Sequence, residues 1–170
     1  MPYVSLIQLA EAPGALELAQ IASDEHQPIV DAELMELTLR AGNRSAYSAE
    51  QIAAADAAKA RIEQISSETD QQIDGYLRFR YTLPLSPMSP LLAVWARSIV
   101  RYRLHKNLGG DDRSNPVVRD YRDALKFLAE VRDGRFSLGA NDTTVAPEGM
   151  DARFESSDRV FSRAQLTGFR

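Results

Sequence analysis

Residues Ser48 to Leu85 read SAEQIAAADAAKARIEQISSETDQQIDGYLRFRYTLPL. Ser48 has the side chain of an N-cap, and Gln51 three residues on completes a capping-box pattern. Behind it Ile52, Ala55, Ala58 or Lys59, Ile62, Ile65 or Ser66, Thr69, Ile73, Tyr76 and Leu77 recur at steps of three and four. That spacing lines one face of a 3.6-residue helix. No proline interrupts the stretch before Phe79, and Gly75 is its only glycine. The pattern predicts one helix of roughly 30 residues, about 45 Å long at ~1.5 Å rise per residue. A break near Ser66-Ser67 is the alternative. Pro84 disfavours helical geometry at Leu83, so the helix must stop near Tyr81. Pro87 and Pro90 then hold the chain extended, while Leu83 and Leu85 turn inward as it reverses.

Shorter helices are expected on both sides. Ser5 caps Leu6 to Glu11, and Pro13-Gly14 ends that turn. Ala15 to Ala22 follows, with Leu16 and Ala19 or Ile21 facing in. Ile29 to Arg40 is a third helix opened by Pro28 and closed by Gly42-Asn43. Beyond the prolines, Leu92, Trp95, Ile99 and Tyr102 place an inward stripe on Leu91 to Leu108, flanked by Leu91 and Ala96. Trp95 is the only tryptophan and the largest packing anchor. Val117 to Arg132 is amphipathic through Val117 or Val118, Tyr121, Leu125, Leu128 and Val131. Gly134 falls at its C′ position, and Phe136 and Leu138 are placed to fold back on its end. The fold class is therefore all-α: a small helical bundle around one long helix. We assign 1–138 to the helical domain and 139–170 to an extended C-terminal arm. The arm carries Phe154, Arg159, Val160, Phe161, Leu166 and Phe169 behind a Gly/Pro/Asn-rich stretch, a pattern suited to ordering on a partner.

The chain has 170 residues, no cysteine and 44% hydrophobic residues, enough for one modest core. The missing cysteines exclude disulfides, thiolate metal sites and thiol catalysis. Neither a secretory leader nor a membrane span is expected. Residues 1–75 hold 13 acids and 4 bases, a net −9, whereas 76–170 hold 11 acids and 16 bases, a net +5. Such polarity suits copies packed side by side, or a basic part docked on an acidic partner. Catalytic signatures are sparse. His26 and His105 lack metal-ligand spacing, and Gly109-Gly110 is followed by acids that repel phosphate. Asp70 and Asp74 share a helix face without a second acidic pair or a histidine; Asp74 also has Arg78 at i+4. On the next helix Arg97, Arg101 and His105 form an i, i+4, i+8 stripe. It is placed either to meet acids of an adjacent subunit or to touch nucleic-acid phosphate. The second case makes the chain a small helical DNA-binding or regulatory protein, against a pI of about 5.2 and without a nucleic-acid motif.

Ile73-Asp74-Gly75-Tyr76-Leu77, Arg80-Tyr81 and Leu83-Pro84-Leu85 together resemble the core of the Mu-like phage head–tail adaptor proteins. Tyr3-Val4-Ser5, the Leu34 to Leu39 helix, the helix Trp95 to Leu104, and Asp133-Gly134 followed by Leu138 extend the resemblance over most of residues 1–140. It implies a helical head-completion connector of the virion neck, made in the host cytoplasm. Such connectors form a ring, typically of twelve copies, under the portal protein. The ring extends the DNA channel and joins the next neck or tail component. The resemblance further implies an arm that docks on the portal, no cofactor or metal, no membrane partner and no catalysis. On that view Asp74, Arg80, Arg97 and Arg101 are inter-subunit or structural residues. Tyr76, Leu77, Tyr81, Leu83, Pro84, Leu85 and Trp95 build the core and the turn. A channel wall of acidic protein repels phosphate and lets genomic DNA slide.

Overall fold

The computed structural model describes residues 2–23, 28–105 and 115–139. The long helix, α4, spans Ala49–Leu77 without a break. At ~1.5 Å per residue it is about 43 Å long. Its capping box is formed: Ser48 Oγ accepts from the Gln51 N–H at 3.3 Å, and the Ser48 N–H donates to Gln51 Oε1 at 2.9 Å. Ala55, Ala58, Ile62, Ser66, Thr69, Ile73 and Leu77 are its buried face. Steps of three and four therefore carry the packing, and small residues at 55, 58 and 66 let neighbouring backbones come close. Ser66 and Thr69 do not break the helix because they sit inside it; Thr69 Oγ1 donates back to the Ile65 carbonyl at 2.8 Å.

Before α4 come a single turn α1 (Leu6–Leu9), α2 (Ala15–Ala22) and α3 (Ala32–Leu39). Between α1 and α2, Ala12 is extended (φ −152°, ψ 122°) ahead of Pro13, and Gly14 takes φ 108° to start α2. After it come α5 (Pro90–Leu104) and α6 (Pro116–Arg132). No strand occurs among the described residues, so the all-α expectation holds. α4 is the spine. Leu34 of α3 faces Ala53, Ala54 and Ala57 near its start. Arg103 of α5 reaches Glu68 and Gln72, and Arg132 of α6 lies over Tyr76, near its end. One continuous core joins all of these elements.

Several expectations are corrected. α4 stops at Leu77 rather than near Tyr81, because the Arg80 and Tyr81 N–H groups both turn back to the Leu77 carbonyl at 2.9 Å. α3 starts at Ala32, not Ile29. Asp31 caps it by accepting from the N–H groups of Glu33 and Leu34, and Ile29 is 64% exposed. On α2 the inward residues are Leu18, Ala19 and Ala22, with Leu16 outside. Pro90 does not extend the chain but occupies the first turn of α5, where its missing N–H costs nothing. Leu91 is exposed, and α5 ends at Leu104 with His105 extended (φ −69°, ψ 112°). The arm residues Phe154, Arg159, Val160, Phe161, Leu166 and Phe169, and also His26, lie outside the described residues.

Gly134 takes φ +81° at the C′ position of α6, and the Arg135 N–H closes on the Glu130 carbonyl at 2.8 Å. A Cβ at Gly134 would meet Arg80 Nη1 at 3.1 Å. Gly134→Ala is expected to lower stability by about 1 kcal/mol from the left-handed backbone alone, as measured by urea unfolding. An unchanged midpoint would show that this turn is not strained by a side chain.

Candidate functional site

The marked residues at the exit of α4 are places where three elements meet. Leu77 is fully buried. One residue earlier, half-buried Tyr76 lies under the Arg132 guanidinium, 6.0 Å from the ring centroid. Arg80 runs the other way. Its Nη1 donates to the Val131 carbonyl at 3.5 Å. That places a cation at the C-terminal end of α6, where unpaired carbonyls and the helix dipole are negative. Tyr81 is buried, and its hydroxyl accepts the Leu138 N–H at 3.1 Å. Arg80 and Tyr81 thus tie the end of α6, and the strand of chain leaving it, to the end of α4. Tyr81→Phe removes the acceptor of a buried N–H. It is expected to cost about 1 kcal/mol and to raise amide exchange at Leu138 before that of the α4 core. Equal protection at Leu138 in both proteins would refute this clamp.

Next to the clamp, Leu83, Pro84, Leu85 and Met88 line a cavity of about 340 Å³ with Tyr3 and Asp74. Leu83 and Leu85 are half-buried against the core and Pro84 is exposed. Tyr3 crosses α4 here. Its N–H donates to Asp70 Oδ1 at 3.1 Å, and its hydroxyl donates to Asp74 Oδ1. Burial first, and then the bond to Asp74, push the Tyr3 hydroxyl well above the usual phenol range. Burial likewise raises the Asp70 carboxyl, against the Tyr3 N–H that lowers it. The two carboxylates therefore hold the N-terminal segment. Asp74 does not pair with Arg78 through its carboxylate; Arg78 Nε reaches only the Asp74 carbonyl, at 3.4 Å.

Trp95 is 7% exposed. Phe127 of α6 stacks on it at 5.7 Å with planes 4° apart. Phe136 meets both rings edge-on at 6.0 and 5.9 Å. Phe136 folds back as expected, and it does so because two aromatic faces wait for its edge. A second stack, Tyr102 on Tyr121 at 3.9 Å, joins the same two helices nearer the other end of α5.

The stripe on α5 is divided. Arg101 forms a two-pronged pair with Glu17 of α2, Nε to Oε1 at 2.5 Å and Nη2 to Oε2 at 2.8 Å. His105 Nε2 sits 3.3 Å from the same Oε1. The acid opposite Arg101 thus belongs to its own chain, and His105 is half-buried rather than free on the surface. Arg103 is held by Gln72 at 2.8 Å and Glu68 at 3.5 Å. Arg97 differs: its Nε is enclosed and has no hydrogen-bond partner among the described residues. The described residues contain no group of three or more His, Cys, Asp or Glu able to hold a metal ion. None of their helices is long and apolar enough to cross a membrane.

What the geometry defines is an all-α scaffold whose marked polar residues bind one element to another. The chain belongs to the Bacteriophage Mu, Gp36 family, whose model matches residues 3–156. It is 34% identical over 112 residues to the Mu-like prophage FluMu protein gp36 of Haemophilus influenzae, covering 65% of this chain and 77% of that protein. It is 33% identical over 105 residues to Gene product J of Escherichia phage Mu, covering 61% of this chain and 72% of that one. No solved structure matches. Sequence reasoning missed Tyr3 as the partner of Asp70 and Asp74, and Glu17 as the partner of Arg101. Tyr3 stands 71 residues from Asp74 and Glu17 84 from Arg101, and no local periodicity connects residues so far apart.

Proposed function

We propose that this phage-family protein is a non-enzymatic structural subunit of the virion neck, a head–tail connector. Its copies assemble as a ring under the portal, extend the DNA channel and join capsid to tail. The observation that carries this is the family match over residues 3–156, together with the role of the Arg80-Tyr81 core. That core fixes the end of α4, the end of α6 and Leu138 in one rigid junction. A subunit that must transmit load between two rigid bodies needs such a junction more than a cleft. The net −9 of residues 1–75 and +5 of residues 76–170 support contacts between unlike faces of identical copies. Phe154, Arg159, Val160, Phe161, Leu166 and Phe169 are the residues proposed to dock on the portal.

Electron microscopy of purified particles with an epitope label on this chain tests the assignment. Label at the junction of head and tail is the expected result. A chain found only outside particles, or at the distal tail, would overturn it. Binding of DNA by the α5 stripe is the weaker alternative, since Glu17 already neutralises Arg101 and Gln72 holds Arg103.

A further inference from the structure

Two patches at opposite ends of α4 have no partner among the described residues. The first is a groove of about 650 Å³ between Pro28–Asp31 and the first turns of α4. Leu34, Ala53, Ala54 and Ala57 line it beside the acids Asp31 and Glu50, and Ile29 stands 64% exposed at its side. The second is a strip on and before α5. Met88, Leu91 and Val94 are 42%, 42% and 49% exposed, and Leu91 and Val94 are one helical step of three apart. Arg97 is the next step along. Its enclosed Nε has no partner among the described residues. Met88 shares a cavity with Asp74, and about 25 Å of helix axis separates Asp74 from Ala57 at ~1.5 Å rise per residue.

The patches complement each other in both shape and charge. One offers a recess walled by small apolar residues and edged by carboxylates. The other offers large apolar side chains followed by a half-buried arginine. Arg97 is half-buried, so a partner's carboxylate would meet its cation from outside rather than at the enclosed Nε, and charge-assisted contacts of this kind are the strong ones. Two copies of the groove would oppose carboxylates, and two copies of the strip would oppose arginines. We infer that they are the two halves of one head-to-tail contact: Leu91 and Val94 of one copy enter the Ile29–Ala57 groove of the next, with Arg97 opposite Glu50. A contact of this type repeats from copy to copy and closes as a ring when its rotation allows. The inference rests on the ring assignment above and specifies its subunit interface.

The chain has no cysteine, so the engineered cysteines are its only thiols. Particles carrying Ile29→Cys together with Val94→Cys are treated with a short bis-maleimide. The expected result is a ladder of covalent multimers of this chain, absent when either substitution is present alone. Glu50→Arg added to the pair should cut the ladder roughly tenfold or more, and Arg97→Glu added as well should restore it. Dimers from Val94→Cys alone would overturn the head-to-tail geometry. Cross-links to another virion protein in place of the ladder would show that a different partner fills the groove. Intact particles that contain the chain but give no ladder would overturn the interface and leave the neck assignment standing. Particles without the chain would overturn both.

Discussion

Trp95→Ala should lower the unfolding free energy by about 3–5 kcal/mol, the largest single effect expected in this chain. For a domain of this size that is a fall in Tm of roughly 6–20 °C, from a total stability on the order of 5–15 kcal/mol. The reason is the position of the ring. Trp95 is 7% exposed and joins α5 to α6 through Phe127 and to the returning chain through Phe136. Removing it opens a void that two aromatic neighbours cannot fill, because Phe127 is anchored on α6 and Phe136 on the Gly134 turn. Phe127→Ala removes a ring that is 38% exposed and should cost clearly less. Urea unfolding of both variants, read at unchanged slope, makes the comparison. Equal losses would mean that the cluster is held from its outer rather than its inner side. The effect should also reach the candidate site, since Leu138, two residues beyond Phe136, donates to Tyr81.

The long helix was legible because its signal is local and repeated. Ser48 with Gln51 marks the start, and seven inward positions at steps of three and four mark the face. Pro84 marked a stop but not its place: the turn closes on Leu77 through two backbone bonds that any residue can make. Asp31 was a readable cap, followed by Glu33 in the first turn, yet Pro28 and the apolar Ile29 and Val30 drew the predicted start upstream. Leu16 shows another limit. In α2 six of eight residues are apolar, and only the position of α3 and α4 decides which side is covered. At the site, Arg80 and Tyr81 were singled out by the family resemblance, but it did not show that they bond to backbone groups of Val131 and Leu138. A backbone carbonyl or N–H leaves no trace in residue identity, so those bonds were out of reach of the sequence.

The second large effect concerns the pair that closes α2 onto α5. Arg101→Ala is expected to cost about 2 kcal/mol, between the ~0.2–1 of exposed pairs and the ~3–5 of fully buried ones. The side chains of Arg101 and Glu17 are 31% and 24% exposed, which sets the middle value. Both prongs of the guanidinium bind one carboxylate, so the geometry is favourable. Glu17→Ala should cost a similar amount, and the double variant should cost less than the sum, because one interaction cannot be lost twice. The same pair gives the protein a pH dependence of known sign. Burial alone would raise the Glu17 carboxyl, but the hydrogen bonds from Arg101 and His105 outweigh it and hold it below its ordinary 4.5. The unfolded chain therefore binds the proton more readily than the native one. The stabilisation is fully present above 4.5 and is lost as the pH falls through the depressed native value. The stability gap between wild type and Glu17→Gln should thus be widest near neutrality and narrow steadily on acidification. A gap that stays constant down to the acid limb would show that Glu17 contributes through packing alone, and Arg101 would then be free to serve a neighbouring molecule.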